Sequence, residues 1–250
     1  MSKIITFLFL SSLCLSGLCQ LKDTTNLQKF SYCIYGNVSS EKIRYFGTCF
    51  FAKKKRKLYL ITASHVFTGL DVINCIEKST YPDTMYVGLG NGDSLLIDIK
   101  SYKEIPCKTI YEKPDIVTYE IPKRDKKICK HVFSIEKMIS PDTIIPASME
   151  IYGYPEYAEL KGGEVYYGSY PYRTRDLNVN NISFKDSLNF NVTIYNKDIE
   201  EGFSGAPLFF KIKGSATKYL FAGICVGGDT KRNFATIVKP YYLRQKLGLP

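Results

Sequence analysis

The sequence has few histidines and no closely spaced cysteine pair of the kind that binds zinc, and it has no long apolar run that could cross a membrane. It contains 2 histidines in 250 residues and no Cys-x-x-Cys pair, so a zinc site is disfavoured and we expect no metal or cofactor. Internal repeats and low-complexity tracts are absent as well. With 45% hydrophobic and 23% charged residues, the composition is ordinary for a globular chain, and the length allows one large or two small lobes.

The one marked apolar run lies at the start of the chain and predicts export. Lys3 precedes the hydrophobic residues 4–10, and small and apolar residues lead to Cys19, which is the arrangement of a secretory signal peptide. The run is too short for a membrane span. We expect residues 1–19 to be removed by cleavage near Cys19. Lipid attachment at Cys19 is the weaker alternative, because Leu18 stands where a small residue is usual. The mature protein is then expected to be secreted or periplasmic, and monomeric.

Six cysteines follow this segment and make disulfide bonds possible. An even number of cysteines in an exported chain suits disulfides. Cysteine also packs well as a small buried hydrophobe, which leaves free thiols as the alternative. The sequence does not decide between these states or fix a pairing. The six are Cys33, Cys49, Cys75, Cys107, Cys129 and Cys225.

Positive charge exceeds negative charge, with 34 Lys and Arg against 24 Asp and Glu and a net charge of +10. Such a balance favours acidic partners or surfaces. The densest basic cluster, residues 53–57, lies between two strand-like segments at 46–52 and 58–62. No aromatic side chains alternate with its charges, as a base-stacking surface would require. We therefore predict a solvated hairpin tip there and no nucleic-acid partner.

The pattern along the chain is overwhelmingly that of β-strands. About twelve short runs rich in β-branched and aromatic residues are divided by turn residues, which is typical of a barrel or sandwich. Helical periodicity is convincing only around residues 240–247. The polar, basic stretch 123–142 predicts a boundary between two lobes, which we place at 20–130 and 131–250. His131, among the lysines of that stretch, is interpreted as a surface residue.

Three short segments hold a histidine, an aspartate and a serine in that chain order. They are Thr-Ala-Ser-His-Val at 62–66, Pro-Asp-Ile-Val at 114–117 and Gly-Phe-Ser-Gly-Ala-Pro at 202–207. A serine hydroxyl becomes a useful nucleophile when an imidazole accepts its proton, and a buried carboxylate fixes the imidazole tautomer. Each segment alone has a structural reading: a histidine at a strand end, an aspartate turn, a Ser/Gly hairpin turn. Together they predict Ser204 as nucleophile, His65 as base and Asp115 as its orienting carboxylate.

In order and content these segments resemble those of chymotrypsin- and trypsin-like serine proteases, over residues 30–245. The resemblance implies an all-β fold of two six-stranded antiparallel β-barrels, with the active site between them and a short C-terminal helix. It implies a serine endopeptidase that acts on protein or peptide substrates through an acyl-enzyme. It also implies an oxyanion hole formed by the N–H groups of Gly202 and Ser204. The Gly-Thr-Cys-Phe segment at 47–50 is similar to a strand of the family that faces the leaving side of the substrate.

Departures from the animal trypsins indicate a different subgroup. Phe203 stands where those enzymes have an aspartate that pairs with a newly cut N-terminus, and no Ile-Val-Gly-Gly activation sequence occurs. Activation by a salt bridge between that aspartate and the new N-terminus is therefore not expected. Val66 replaces the cysteine that commonly follows the catalytic histidine, so the usual disulfide beside the histidine cannot form. The chain looks more like compact secreted bacterial proteases, such as the glutamyl endopeptidases and the HtrA group.

Substrate preference is less legible. By family position Asp198 is expected at the base of the primary pocket, with a rim charge at Asp198, Glu200 or Glu201 as the alternative. The segment 223–228 is similar to the strand that pairs with substrate and walls the pocket, which places Cys225, Val226 and Gly227 there. Glutamyl endopeptidases carry a histidine where this chain has Cys225, so cleavage after acidic residues is disfavoured and a basic residue is preferred.

Two other function classes stay open on the sequence. One is a catalytically silent trypsin-like module used for binding, which the intact set of three residues disfavours. The other is a basic secreted adhesion or nucleic-acid-binding β-protein in which the three segments coincide by chance. Labelling by a serine-directed probe separates both from an enzyme.

Overall fold

The computed structural model describes fifteen separate parts of the chain, and all structural statements below refer to them. They are residues 27–39, 42–69, 82–90, 92–100, 114–123, 125, 129–135, 146–161, 164–169, 172–177, 182–184, 189–193, 201–212, 219–229 and 234–248. The predicted signal segment, Cys75, Cys107, Asp198 and Glu200 lie outside them. No helix in the described parts is long and apolar enough to cross a membrane.

The described residues are mostly β-strand, as the sequence pattern predicts. The strands are β1 (Tyr32–Ser39), β2 (Lys42–Lys54), β3 (Lys57–Thr62), β4 (Thr84–Gly90), β5 (Asp93–Asp98), β6 (Val117–Glu120), β7 (Val132–Ser134), β8 (Pro146–Gly153), β9 (Glu156–Lys161), β10 (Glu164–Ser169), β11 (Tyr172–Leu177), β12 (Ile182–Phe184), β13 (Asn189–Thr193), β14 (Pro207–Ile212), β15 (Tyr219–Asp229) and β16 (Phe234–Val238). The helices are α1 (Ser64–Thr68) and α2 (Pro240–Lys246), with a 3-10 turn at Leu27–Phe30.

The first sheet curls around one long strand. Its order is β5-β4-β1-β2-β3-β6, and β7 adds to β2 in parallel. Strand β2 has 13 residues. Its first part pairs with β1, and its last part pairs with β3, where Phe50 faces Ile61. One face of the sheet is buried and the other faces solvent. Strand β5 shows this, because its side chains alternate between exposed and buried positions from Leu95 to Asp98. Strands β3 and β6 pair from Thr62 to Tyr59, which fixes the ends of both strands beside each other.

The second sheet is antiparallel and has the order β11-β8-β14-β15-β16-β13-β12. Strands β9 and β10 form a separate hairpin. The predicted pair of six-stranded barrels is not confirmed, because each main sheet has seven strands in the described residues and the hairpin joins neither. The difference in the first sheet comes from β7, which lies in the stretch 123–142 that the sequence indicated as a polar connection. A short apolar run there completes the core by pairing with β2.

Three groups of buried side chains hold the fold together. One lies against the first sheet, whose residues we call the first lobe, and one lies against the second sheet, whose residues we call the second lobe. A third, which we call the inter-lobe core, combines residues of both lobes and is centred on Phe50, Phe133, Phe209 and Phe221. Their ring centroids lie 5.2 to 5.6 Å apart in the pairs that touch. Because large aromatic side chains dominate burial energetics, the two lobes behave as one packed unit. His131 is half-buried and lies edge-on to Phe30, which packs against the inter-lobe core.

The basic segment 53–57 forms the tip of the β2–β3 hairpin, as predicted. Lys53, Lys55, Arg56 and Lys57 are exposed. Lys54 differs, because its Nζ donates to the carbonyl oxygen of Leu247, just beyond α2. The hairpin tip therefore also anchors the last helix to the first lobe.

The four described cysteines are free thiols, so the disulfide expectation is not supported for them. They are Cys33, Cys49, Cys129 and Cys225. Cys49, Cys129 and Cys225 are buried in the cores of the two lobes. Burial disfavours the thiolate. It raises the pKa of Cys225 to about 12 and that of Cys129 to about 12, and it raises the pKa of Cys49 well above its usual value.

We expect the protein to lose stability as pH rises above 9.0, the ordinary thiol pKa. Between pH 9.0 and about 12 the unfolded chain loses the Cys225 proton while the folded protein keeps it, so the stabilising contribution of the neutral thiol is present below this range and fades through it. Each such thiol adds a slope of about 1.4 kcal/mol per pH unit. Urea unfolding at pH 8, 9 and 10 under reducing conditions should give a shallower slope for Cys225→Ala than for the wild type. Equal pH slopes of the unfolding free energy in the two proteins would show that the Cys225 thiol does not keep its proton in the folded state.

Candidate active site

The pairing of β3 with β6 brings His65 and Asp115 together. Thr62 pairs with Val117, so the histidine three residues after one strand and the aspartate two residues before the other meet at the same edge. His65 lies in the single turn of α1, which ends at Gly69 in the left-handed conformation with φ 67°. Its Nδ1 lies 2.5 Å from Asp115 Oδ2, and its backbone N–H donates to Asp115 Oδ1 at 3.0 Å.

This geometry fixes the histidine ring. A carboxylate can only accept at both oxygens, so the short contact places the ring proton on Nδ1 and leaves Nε2 as the acceptor of a neutral imidazole. The two side chains are only 22% and 11% exposed. The backbone is held as well, because the Ser64 N–H donates to the Asp115 carbonyl at 3.3 Å. The arrangement suits a histidine that accepts a proton through Nε2.

Ser204 lies in a tight turn framed by two glycines in the left-handed region. Gly202 has φ 104° and Gly205 has φ 90°. A Cβ atom at Gly205 would lie 1.9 Å from the Thr48 carbonyl oxygen, and one at Gly202 would lie 2.4 Å from the Tyr154 carbonyl oxygen. Any larger residue would therefore displace the backbone. These glycines are required by the close approach of other strands as well as by their own conformation.

Four consecutive carbonyl groups of the turn are each held by a hydrogen bond. The Glu201 oxygen accepts from the Glu156 N–H at 3.2 Å, and the Phe203 oxygen accepts from the Ala206 N–H at 2.9 Å. Since the peptides are trans, the N–H of the following residue points away from each carbonyl. The N–H groups of Gly202 and Ser204 have no acceptor among the described residues. Their role as oxyanion-hole donors, which requires both N–H groups to point at one substrate oxygen, stays a prediction.

The other two carbonyls of the turn are held by a residue that the sequence reasoning missed as a functional position. Thr48 of β2 donates its hydroxyl proton to the Gly202 carbonyl at 2.6 Å, and its backbone N–H donates to the Ser204 carbonyl at 2.8 Å. The Thr48 hydroxyl also accepts from the Tyr154 N–H at 2.9 Å. The resemblance pointed to the strand through the segment 47–50, but it gave no reason to single out this hydroxyl.

The serine turn and the histidine helix rest on the same strand. A Cβ atom at Gly47 would lie 2.8 Å from the Val66 side chain and 2.9 Å from the Ser204 carbonyl oxygen. Val66 is the residue after His65. The turn of Ser204 and the residue after His65 thus pack against residues 47 and 48 of β2, and His65 is in turn hydrogen-bonded to Asp115.

Phe203 anchors the turn from the opposite side. It is buried in the core of the second lobe, and a Cβ atom at Gly153 would lie 2.6 Å from its ring. An apolar side chain therefore occupies the position at which the animal trypsins have their charged aspartate.

The predicted substrate-binding residues have three different surroundings. Cys225 is fully buried, and both of its backbone groups bond to the turn, because its N–H donates to Ala206 and its carbonyl accepts from Gly205. Val226 is half-buried at a strand irregularity, and a Cβ atom at Gly227 would meet nothing within 4 Å. Glu201 is exposed. Contact of these residues with substrate stays a prediction, and Asp198 lies outside the described residues.

Comparison with known proteins gives distant structural similarities alone. No protein-family model and no curated protein matches the sequence. One similar chain comes from work on aromatic interactions that drive the coupled folding and binding of the intrinsically disordered Sesbania mosaic virus VPg protein, with a TM-score of 0.48 and 14% identity over 88% of this chain and 90% of that one. The catalytically inactive tobacco etch virus protease complexed with substrate has a TM-score of 0.43 and 12% identity, over 92% and 88% of the two chains. Tobacco vein mottling virus protease has a TM-score of 0.43 and 12% identity, over 89% and 82%. Similarities of this size establish neither the family nor the activity of the chain.

Proposed function

We propose that this protein is a serine endopeptidase that hydrolyses peptide bonds through an acyl-enzyme. The observation that supports it best is the His65–Asp115 pair, in which one carboxylate binds both the ring and the backbone of the histidine. The glycine-framed turn of Ser204, packed against the strand beside that pair, adds the nucleophile.

In the proposed mechanism each residue has one task. Nε2 of His65 accepts the hydroxyl proton as Ser204 Oγ forms a bond to the substrate carbonyl carbon, and Asp115 stabilises the imidazolium. The negative charge on the carbonyl oxygen is met by the N–H groups of Gly202 and Ser204. The imidazolium then gives its proton to the leaving amine as the peptide bond breaks. A water molecule, deprotonated by His65 in the same way, releases the acyl group and restores Ser204.

The finer features belong to the same proposal. They are a trypsin-like arrangement of two β-barrel lobes at 20–130 and 131–250, export directed by residues 1–19, and a monomeric protein. A preference for cleavage after Lys or Arg, selected by the charge of Asp198, is proposed from family position. These features are supported by the sequence pattern and by the resemblance, and the basic preference is the least supported of them.

Labelling by a fluorophosphonate probe tests the proposed function directly. We expect the wild-type protein to be labelled at Ser204, because the probe reacts only with a serine whose proton a base accepts. Ser204→Ala should not be labelled. Ser94→Ala, which removes an exposed serine of β5, should be labelled like the wild type. Folded wild-type protein that resists the probe would indicate the silent binding module, and labelling of Ser204→Ala would show that the nucleophile has been misassigned.

A further inference from the structure

We propose that Thr48 is a positioning residue of the active site: its hydroxyl holds the peptide between Gly202 and Phe203 in the orientation that the oxyanion hole needs. This inference rests on the proposed function and deepens it, because it names the residue on which the conformation of the nucleophile turn depends. Neither Thr48 nor its strand carries any of the three reacting groups.

The case begins with what holds each carbonyl of the turn. Three of the four, at Glu201, Phe203 and Ser204, accept from backbone N–H groups, which no substitution removes except one by proline. The Gly202 carbonyl accepts from a side chain, the Thr48 hydroxyl, at 2.6 Å. Of the four carbonyl groups of this turn, the Gly202 carbonyl is thus the one that a side-chain hydroxyl holds.

The peptide concerned lies between the two proposed oxyanion donors. Rotating the Gly202–Phe203 peptide changes the backbone torsions between the N–H of Gly202 and the N–H of Ser204, so the two donors no longer keep their relative direction. Gly202 offers little resistance to such a rotation, because a residue without Cβ populates several backbone regions. An external hydrogen bond is needed to select one of them, and Thr48 supplies it.

The Thr48 hydroxyl is itself fixed. It is completely buried, and it accepts from the Tyr154 N–H at 2.9 Å while it donates to Gly202. That accepted bond orients the hydroxyl proton toward the turn. Replacing the hydroxyl by a methyl group would remove the hydrogen bonds that the Gly202 carbonyl and the Tyr154 N–H make with Thr48, and polar groups that lose a partner beside a buried side chain are costly.

Thr48 also links the turn to the base. Its carbonyl oxygen accepts from the Thr62 hydroxyl at 2.7 Å, and Thr62 is the residue of β3 that precedes the histidine helix. Strand β3, which leads to His65, and the turn that carries Ser204 therefore both form hydrogen bonds with Thr48. A displacement of Thr48 changes the distance between base and nucleophile as well as the oxyanion donors.

The test compares Thr48→Val, which has the same shape without the hydroxyl, with Thr48→Ser, which keeps the hydroxyl. Thr84→Val, at an exposed position of β4, is the matched control. We expect Thr48→Val to lower kcat about 10- to 100-fold with KM changed by less than about threefold, and to slow fluorophosphonate labelling in proportion, because loss of an oxyanion donor costs up to about 10³-fold. Thr48→Ser should recover most of the rate, and Thr84→Val should behave like the wild type.

A purely structural role gives a different result. It would lower the melting temperature of Thr48→Val while the kcat of the folded fraction, counted by active-site titration, stayed at the wild-type value. That outcome overturns the proposal, as does a Thr48→Ser variant as slow as Thr48→Val. If Thr48→Val does not fold, comparison of Thr48→Ser with Thr48→Ala isolates the hydroxyl in the same way. Absence of labelling in the wild type would instead refute the proposed function itself.

Discussion

Ser204→Ala and His65→Ala are each expected to remove nearly all peptide hydrolysis, with a loss of about 10⁶-fold in kcat. The two residues share one step, since the serine reacts only as the histidine accepts its proton. The double variant should therefore be little slower than either single variant. Initial rates on a peptide substrate, with protein concentration taken from absorbance, measure both effects.

The other histidine provides the control for this experiment. His131 is half-buried beside Phe30 and takes no part in the site, so His131→Ala should retain activity close to that of the wild type. Full activity in either single variant, or losses that multiply in the double variant, would show that Ser204 and His65 do not act as a unit.

Asp115→Asn is expected to keep the fold and to lower kcat by about 10⁴-fold. The carboxylate now accepts from the His65 backbone N–H at one oxygen and faces Nδ1 with the other. An asparagine has one oxygen only. If that oxygen stays on the backbone N–H, its NH₂ group faces Nδ1 and favours the tautomer with the proton on Nε2, which cannot accept the serine proton.

Thermal unfolding and kcat measured on the same preparation separate the two expectations for Asp115→Asn. The Ser64 N–H bonds to the backbone carbonyl of Asp115, and the substitution leaves that bond in place. Asp125→Asn, which changes a half-buried aspartate outside the three segments, is the matched control and should be fully active. A loss of less than about tenfold in Asp115→Asn would remove the tautomer argument, since the tautomer effect alone is about 10⁴-fold.

The sequence indicates the local backbone of the three segments more directly than it indicates the number of strands around them. The His65 and Asp115 segments each adjoin an apolar run, and strand pairing of those runs is enough to bring the two residues together. The glycines around Ser204 are local signals of backbone conformation, and the structure places both in the left-handed region. Sequence patterns of this kind predict the structure well because the backbone conformation that they describe depends on only a few neighbouring residues.

What the sequence does not predict depends on partners far apart in the chain. The first sheet has a seventh strand because β7, in a polar stretch, pairs with β2 and buries Phe133 in the inter-lobe core. Three of the four described thiols, those of Cys49, Cys129 and Cys225, pack as small buried hydrophobes, and sequence spacing does not report burial. Thr48 is an ordinary threonine of a β-strand until the turn more than a hundred residues later packs against it.

Under the proposed function, helix α2 also sets when the chain can become active during its own synthesis. Leu243 is buried in the inter-lobe core, and Lys246 donates to the carbonyl of Ile116, the residue next to Asp115. At a synthesis rate of about 5 to 20 residues per second, a nascent chain carries the histidine and the aspartate for several seconds or more before these late contacts exist. Under the proposed function, the chain is therefore inactive until its last helix packs, and this delay comes from the order of the elements along the chain.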